Sequence, residues 1–258
     1  MPLHMQLNQH IYRHYWDMGW AAVEGVFTVS EMEVLIQRAS ALCDQEETEK
    51  NSGYHVDQDV EGRTAVRKLD APFLKDPQLR RIVLDSRLRL LIGQFLGKPP
   101  MLVVDQIFMK PPRFGSAKPY HQDNAYFLCH PDDEVITAWI ALDDVDESNG
   151  CLRYIEGSHR EPILQHLEIP AEPYNKSPAP DQIDLDREAL APVKKGGVVF
   201  HHSKTLHTSH RNESHRWRRA YATHWATAEV TCTIDTIENA YYNRYPEVYE
   251  AAVRDVGC

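Results

Sequence analysis

The sequence predicts a mainly β protein, a sandwich or jelly roll flanked by N-terminal helices, in the α+β class, and three observations lead there. The first hundred residues read as helical packing with short extended pieces, their apolar positions recurring at helical spacing. From residue 101 the texture changes to short apolar runs, "MLVVDQIFMK", "VITAWIALDDV", "CLRYIEGS", "VVFHHS" and "RAYATHWAT", punctuated by Pro, Gly and Asn-Gly. At 258 residues the chain suits one domain with a full core, and 42% hydrophobic with 26% charged residues is ordinary for a globular enzyme.

Each element has a local reason. "SEME", Ser30 to Glu33, has the form of a capping box ahead of Leu35, Ile36, Ala39 and Leu42. "DPQL" opens a second helix, with Asp76 as N-cap and Pro77 at the first position, running through Leu79, Ile82 and Val83. A third helix carries Leu88, Leu91, Ile92 and Phe95 and stops at Gly97. Among the strands, "SNG" at Ser148 to Gly150 is a hairpin signal between two apolar runs. Residues 158 to 193 form a long polar segment with six prolines, the composition of a lid or binding loop. The expected organisation is a single domain over 1–258, helical to about residue 100, a β core over about 101–227 and a C-terminal extension at 228–258.

Charge and cysteine usage narrow the function. A net charge of −10 argues against nucleic-acid or anionic-membrane partners, which call for a basic face. Five cysteines without a C-x-x-C pair read as reduced, mostly buried thiols. With no signal-like N-terminus and no apolar run long enough for a span, the expectation is a cytoplasmic protein.

The chemistry turns on "YHQDNAYF", residues 120 to 127. Fourteen His and 19 Asp in 258 positions give roughly one His-x-Asp by chance, and the chain has three. In an extended segment residues i and i+2 share a side, so His121 and Asp123 can converge on one ion. His55-Val56-Asp57 lies in the polar stretch "GYHVDQDVEGR", which reads as a solvated loop, and His130-Pro131-Asp132 in "HPDDE" reads as a turn. A His and a carboxylate from one strand plus a distant His make a facial triad with open positions, the ligand set of non-haem iron(II). "FHHSKTLHTSHRNESHRWRRAY" offers His201, His202, His207, His210 and His215 for the second imidazole, and spacing alone does not choose among them.

The ordered block "MKPP…HQDNAYF…TAWIALDDVDESNGCLRYIEGSHR…GGVVFHHSKTLHTSHRNESHRWRRAY", about residues 101 to 227, resembles the phytanoyl-CoA dioxygenase family of iron(II)- and 2-oxoglutarate-dependent oxygenases. The resemblance implies a double-stranded β-helix, cupin-like core. In that family the distal His is followed by Ser two positions on, Asn five on and Arg eleven on, as His207 is by Ser209, Asn212 and Arg218. The implied iron ligands are therefore His121, Asp123 and His207. Arg218 is implied as the partner of the 2-oxoglutarate carboxylate, a role suited to its fixed fork. Arg219, its neighbour on the strand, faces the other side. Family positions lining the same pocket match Gln106, Trp139 and Ser209, and Lys68 matches a further contact of 2-oxoglutarate once a one-residue gap is allowed. The implied reaction consumes dioxygen, turns 2-oxoglutarate into succinate and carbon dioxide, and hydroxylates an unactivated C–H bond. Halogenating relatives carry a small residue at the position Asp123 fills, which favours hydroxylation here.

Two other classes fit parts of the pattern. A zinc hydrolase uses the same ligand types, but there is no His-Glu-x-x-His helix and Arg218 would have no role. A non-catalytic jelly-roll binding module is the other. For the substrate, the acidic chain and its acid-rich 159–192 segment point to a free small molecule, neutral, zwitterionic or cationic, rather than a polyphosphorylated thioester.

Overall fold

The computed structural model describes residues 6–49, 54–58, 62, 64–170, 172–232 and 246–255. Its centre is an antiparallel seven-stranded sheet. The strands are β1 (Trp20–Val23), β2 (Tyr54–Gln58), β3 (Thr64–Asp70), β4 (Met101–Lys110), β7 (Val135–Ala141), β12 (Val198–His202) and β14 (Arg218–Ala226), in the order β1-β12-β7-β14-β4-β3-β2. A second antiparallel sheet contains β5 (Lys118–His121), β8 (Leu152–Ile155), β11 (Glu188–Ala191) and β13 (His207–Ser209), ordered β11-β8-β13-β5. Two short pairs complete the strands: β9 (Leu167–Ile169) with β10 (Glu172–Ser177), and β6 (Cys129–His130) with β15 (Thr231–Cys232).

Alternation along the strands divides the core in two. On β14, Tyr221 and Trp225 join Ile136, Ala138 and Ile140 of β7 in a cluster with Leu35, Leu79, Leu88 and Phe95, so helices cover the outer face of the larger sheet. These helices are α2 (Val29–Glu49), α4 (Pro77–Val83) and α5 (Ser86–Leu96). The opposite residues, Trp139, Ala141, Ala220 and Ala222, pack with Leu152, Tyr154 and Ala191 of the smaller sheet. With both faces covered, all seven residues of β7 are buried. The remaining helices are α1 (Gln9–Met18), α3 (Pro72–Lys75), α6 (Asn124–Phe127) and α7 (Pro246–Asp255). No helix among the described residues is long and apolar enough to cross a membrane.

Asp76 caps α4 as its sequence requires, accepting from the Gln78 and Leu79 amides, and Gly97 ends α5 with φ 67°. Several expectations are corrected. The capping box of α2 lies two residues earlier than Ser30/Glu33: Glu31 Oε2 accepts from the Thr28 amide at 2.7 Å, and Thr28 Oγ1 accepts from the Glu31 amide at 3.2 Å. Tertiary partners agree with this register: the Arg87 guanidinium bonds Glu31 Oε1 at 2.6 Å, while Glu33 is engaged by Lys195. "SNG" makes no hairpin. Glu147–Asn149 is a 3-10 turn closed by Gly150 at φ 86°, and it carries the chain from β7 in one sheet to β8 in the other. His55 and Asp57 lie on strand β2, not in a solvated loop, because Lys68 and Ala65 of β3 stand opposite them in the ladder. The 158–193 segment contains β9, β10 and β11, so part of it is sheet. Cys129 is disulfide-bonded, against the reading of reduced thiols, while Cys43 and Cys151 are free and buried. Cys232 is the residue opposite Cys129 in the β6–β15 ladder, and Cys258 lies outside the described residues.

Burial alone would raise the Glu31 carboxyl, but bonds from Arg87 and Thr28 outweigh it and lower it to about 2. Glu31→Ala is expected to destabilise the protein by about 1 kcal/mol at pH 7, the usual worth of a cap. Since the folded value lies below the ordinary 4.5, this advantage is complete above pH 4.5 and declines as pH falls toward 2. Urea denaturation at pH 7 and pH 3.5 checks it: the difference between wild type and variant should shrink at the lower pH.

Candidate active site

A cavity of about 230 Å³ opens between the two sheets. His121 ends β5, Asp123 follows it just ahead of α6, and His207 begins β13, directly opposite His121 in the ladder. The three are buried, and ligand atoms from each lie within 4.8 Å of one another. His121 Nε2 is 3.6 Å and His207 Nε2 3.8 Å from Asp123 Oδ1.

Backbone carbonyls set both tautomers. His121 Nδ1 donates to Pro119 O and His207 Nδ1 to Thr205 O, each at 2.9 Å. A carbonyl only accepts, so Nδ1 carries the proton and each Nε2 lone pair is left for a metal. Burial, then the His207 charge, pushes His121 well below the ordinary imidazole value, and burial lowers His207 to about 4. Both rings are therefore neutral at pH 7, the form that ligates.

The Asp123 carboxylate is oriented as closely. Thr137 Oγ1 donates to Oδ2 at 2.6 Å and His201 Nε2 donates to the same oxygen at 3.0 Å. Tyr154 donates its hydroxyl to His201 Nδ1 at 2.8 Å, and His224 Nδ1 donates to Thr137 Oγ1 at 2.8 Å. Burial would raise the Asp123 carboxyl, yet His207 and the bonds from His201 and His224 hold it well below the ordinary value. Oδ2 is thus engaged and Oδ1 is turned toward the histidines. Two imidazole nitrogens and one carboxylate oxygen, each with its other polar atom fixed, fit an octahedral iron(II) site with open positions.

Sequence reasoning missed Thr137, Tyr154 and His224, and offered His201 only as a candidate metal ligand. Thr137, His201 and His224 form a row across the larger sheet, since Thr137 of β7 stands opposite both His201 of β12 and His224 of β14, and Tyr154 reaches His201 from β8 of the smaller sheet. Strand alternation puts His224 on the side of Arg218, a signal present in the sequence; which strands are neighbours was not.

At the far end of the cavity Arg218 is buried, 3% exposed, with its guanidinium carbon 5.4 Å from the centre of the Trp139 ring. Its Nη2 donates to Ser209 Oγ at 3.3 Å, and its buried Nε has no hydrogen-bond partner. Burial lowers it to about 10, so it remains a cation at pH 7. Arg219, on the other face, grips Asp143 through Nε and Nη2 at 2.8 Å each. Gln106, Trp139, Ser209 and Lys68 all line the cavity with Arg218. Lys68 Nζ sits 3.0 Å from Asp70, which also bonds His55. His55, His130, His202, His210 and His215 do not line it.

The lining corrects the charge expectation. Among the described residues, Arg67, Lys68, Lys110, Lys118 and Arg218 line the cavity with one carboxylate, that of Asp123; Arg67 and Lys68 are themselves paired with Asp57 and Asp70. In the acid-rich segment Glu188 bonds Arg153 and Tyr120, and Glu161 and Asp184 pair with Arg187. Asp59, Glu61 and Arg63 lie outside the described residues.

The phytanoyl-CoA dioxygenase (PhyH) family model matches residues 15–220. Phytanoyl-CoA dioxygenase domain-containing protein 1 of Mus musculus is 30% identical over 162 residues, 60% of this chain and 55% of that protein. The chain therefore spans about half the length of that relative. A probable alpha-ketoglutarate-dependent hypophosphite dioxygenase of Stutzerimonas stutzeri is 27% identical over 232 residues, covering 84% of this chain and 78% of its own. Among solved structures, the non-heme alpha-ketoglutarate-dependent carbocyclase SnoK from nogalamycin biosynthesis has the same fold, with a TM-score of 0.72 at 23% identity over 88% of this chain and 87% of that one.

The Arg218 end is closely packed, and this gives a direct test. A Cβ on Gly115 would lie 2.4 Å from Lys110 Cβ and 2.5 Å from Lys110 Cα, contacts that only a backbone shift relieves. Gly115→Ala is expected to cost about 1–3 kcal/mol, the usual range for overpacking, and to lower the Tm by several degrees in a calorimetric scan.

Proposed function

The chain belongs to the phytanoyl-CoA dioxygenase family, and on that premise we propose that it is an iron(II)- and 2-oxoglutarate-dependent dioxygenase that hydroxylates an unactivated C–H bond of a small molecule. Dioxygen is consumed, and succinate and carbon dioxide are released. The observation that carries this reading is the pairing of two features in one cavity: three convergent metal-ligand atoms, and a buried arginine with an unpartnered Nε. We read the two facing sheets as the double-stranded β-helix expected of such an enzyme.

In this reading His121, Asp123 and His207 would hold the iron, which when bound would activate dioxygen; dioxygen is the oxidant, and 2-oxoglutarate, oxidised to succinate and carbon dioxide, and the substrate each give up two electrons. The chain's own residues orient and shield. Arg218 receives the distal carboxylate of 2-oxoglutarate with Ser209 beside it, and Trp139 and Gln106 form the wall between the two ends. Lys68 lines the same cavity toward its mouth. A buried carboxylate meeting a guanidinium fork gains a charge-assisted contact that a hydrolase would not use. Asp123 fills the position that halogenating relatives leave small, which supports hydroxylation. The cationic lining disfavours a cationic substrate and narrows the guest to a neutral, zwitterionic or anionic small molecule.

The anaerobic iron(II) protein should develop a weak visible charge-transfer band only when 2-oxoglutarate is added. His121→Ala, Asp123→Ala and His207→Ala should each abolish succinate release, whereas His55→Ala, His130→Ala and His210→Ala should retain iron by metal analysis. An iron-replete, active His207→Ala protein would overturn the ligand assignment.

Arg218→Leu should raise the 2-oxoglutarate requirement severely while iron stays bound, because breaking a buried ion pair costs about 3–5 kcal/mol. Arg219→Leu should be mild, its partner Asp143 lying outside the cavity. Steady-state kinetics with 2-oxoglutarate varied distinguishes them, and the reverse ranking would refute the assignment.

A further inference from the structure

Lys110 takes no part in the reading above, yet it lies at the centre of the Arg218 end of the cavity. It is 6% exposed and stands directly opposite Arg218 in the β4–β14 ladder, so two buried cations are neighbours. Burial, and then the charge of Arg218, pushes the Lys110 ammonium well below its ordinary value, a measure of how unfavourable this arrangement is without an anion.

The hydrogen-bond count around Lys110 is specific. Its Nζ donates to Ser209 O at 3.0 Å, to Ser209 Oγ at 2.9 Å and to His210 O. An ammonium has three protons, and three acceptors take them. Ser209 Oγ in turn accepts from Lys110 Nζ and from Arg218 Nη2, which occupies both its lone pairs. The hydroxyl's own proton then has nowhere to go but outward, and Ser209 lines the cavity. Arg218 Nε is likewise buried without a partner.

The backbone is shaped around this lysine. At Gly150, φ 86°, an added Cβ would lie 2.5 Å from His210 O and 3.4 Å from Lys110 Cδ, and Gly115 is tighter still. Asn212 Nδ2 donates to Lys110 O at 2.9 Å, tying the strand end to the turn that follows β13. The lysine is held in one position on all sides.

We propose that Lys110 is a positioning residue for the co-substrate: its ammonium group fills the acceptors behind Ser209, turns the Ser209 hydroxyl proton into the cavity, and so makes Ser209 and Arg218 a two-donor cradle for a carboxylate. The inference rests on the oxygenase reading, and it assigns Lys110 no contact with 2-oxoglutarate itself. A lysine that merely filled space would not act through Ser209.

The test is a double-mutant cycle read by binding. Anaerobic iron(II) protein is titrated with 2-oxoglutarate and, separately, with 2-oxovalerate, which keeps the 2-oxo acid head and lacks the distal carboxylate; the charge-transfer band reports each. Lys110→Met should raise the half-saturating 2-oxoglutarate concentration by about tenfold or more, the scale of a lost hydrogen bond to a charged group, and leave 2-oxovalerate within about twofold. The Lys110→Met/Ser209→Ala double variant should bind 2-oxoglutarate within about twofold of Ser209→Ala alone, because the lysine acts through the hydroxyl. Lys110→Gln, which retains two N–H donors, should recover part of the loss. If Lys110→Met does not fold, Ser209→Ala and Lys110→Gln carry the test, each expected to lose preference for 2-oxoglutarate over 2-oxovalerate. Unchanged 2-oxoglutarate binding, an equal loss for both acids, or losses that multiply in the double variant would overturn this inference alone. A wild-type protein that binds iron but shows no band with either acid overturns the oxygenase reading, and this one with it.

Discussion

The carboxylate of Asp123 is the point on which the two sheets and the candidate metal site depend. It leaves the smaller sheet just after β5, and its Oδ2 is held by Thr137 and His201 of the larger one. A buried carboxylate without partners costs several kcal/mol, so these bonds are a condition of burying it there. They also divide the labour between its oxygens. With Oδ2 engaged, Oδ1 faces His121 and His207, whose own Nδ1 protons are committed to backbone carbonyls. Each ligand atom is thus presented by a bond made on its far side, an arrangement common in metal sites.

The opposite end of the cavity follows the same logic with the sign reversed. Arg218 and Lys110 are neighbouring buried cations, and the chain supplies Ser209 and two backbone carbonyls rather than an acid to meet them. Gly115 and Gly150 make room, since a side chain at either would collide with Lys110 or His210. Between the ends, Trp139, Ala222 and Gln106 lie side by side on β7, β14 and β4 and form a mostly apolar wall. A divalent cation at one end and an anionic group at the other are what this polarity suits.

Net charge is a poor guide to such an interior. The chain is acidic overall, yet the cavity lining is cationic: Glu161, Asp184 and Glu188 of the 159–192 segment pair with Arg187 and Arg153 and do not line the cavity. Long-range potential governs encounter, whereas the few side chains that line a pocket govern what stays in it.

Residue identity and spacing determined much of this protein. The helix start at Asp76 and stop at Gly97, the change from helical to strand texture near residue 101, and the sidedness of Arg218 and Arg219 follow from local rules of capping and alternation. The set His121, Asp123, His207, Ser209 and Arg218 was legible through the ordered resemblance, and the structure gathers all five around one cavity. Only the tertiary structure decided which strands are neighbours. That adjacency turned "SNG" from a hairpin into a crossover between sheets, moved His55 onto a strand, and brought Thr137, His201, Tyr154 and His224 behind Asp123, while the fold set Arg87 of α5 on Glu31 of the Thr28 cap. The reason is physical. Period and capping are set by residues a few positions apart, whereas the partners of a buried polar group come from wherever the chain returns, and no local rule encodes that return.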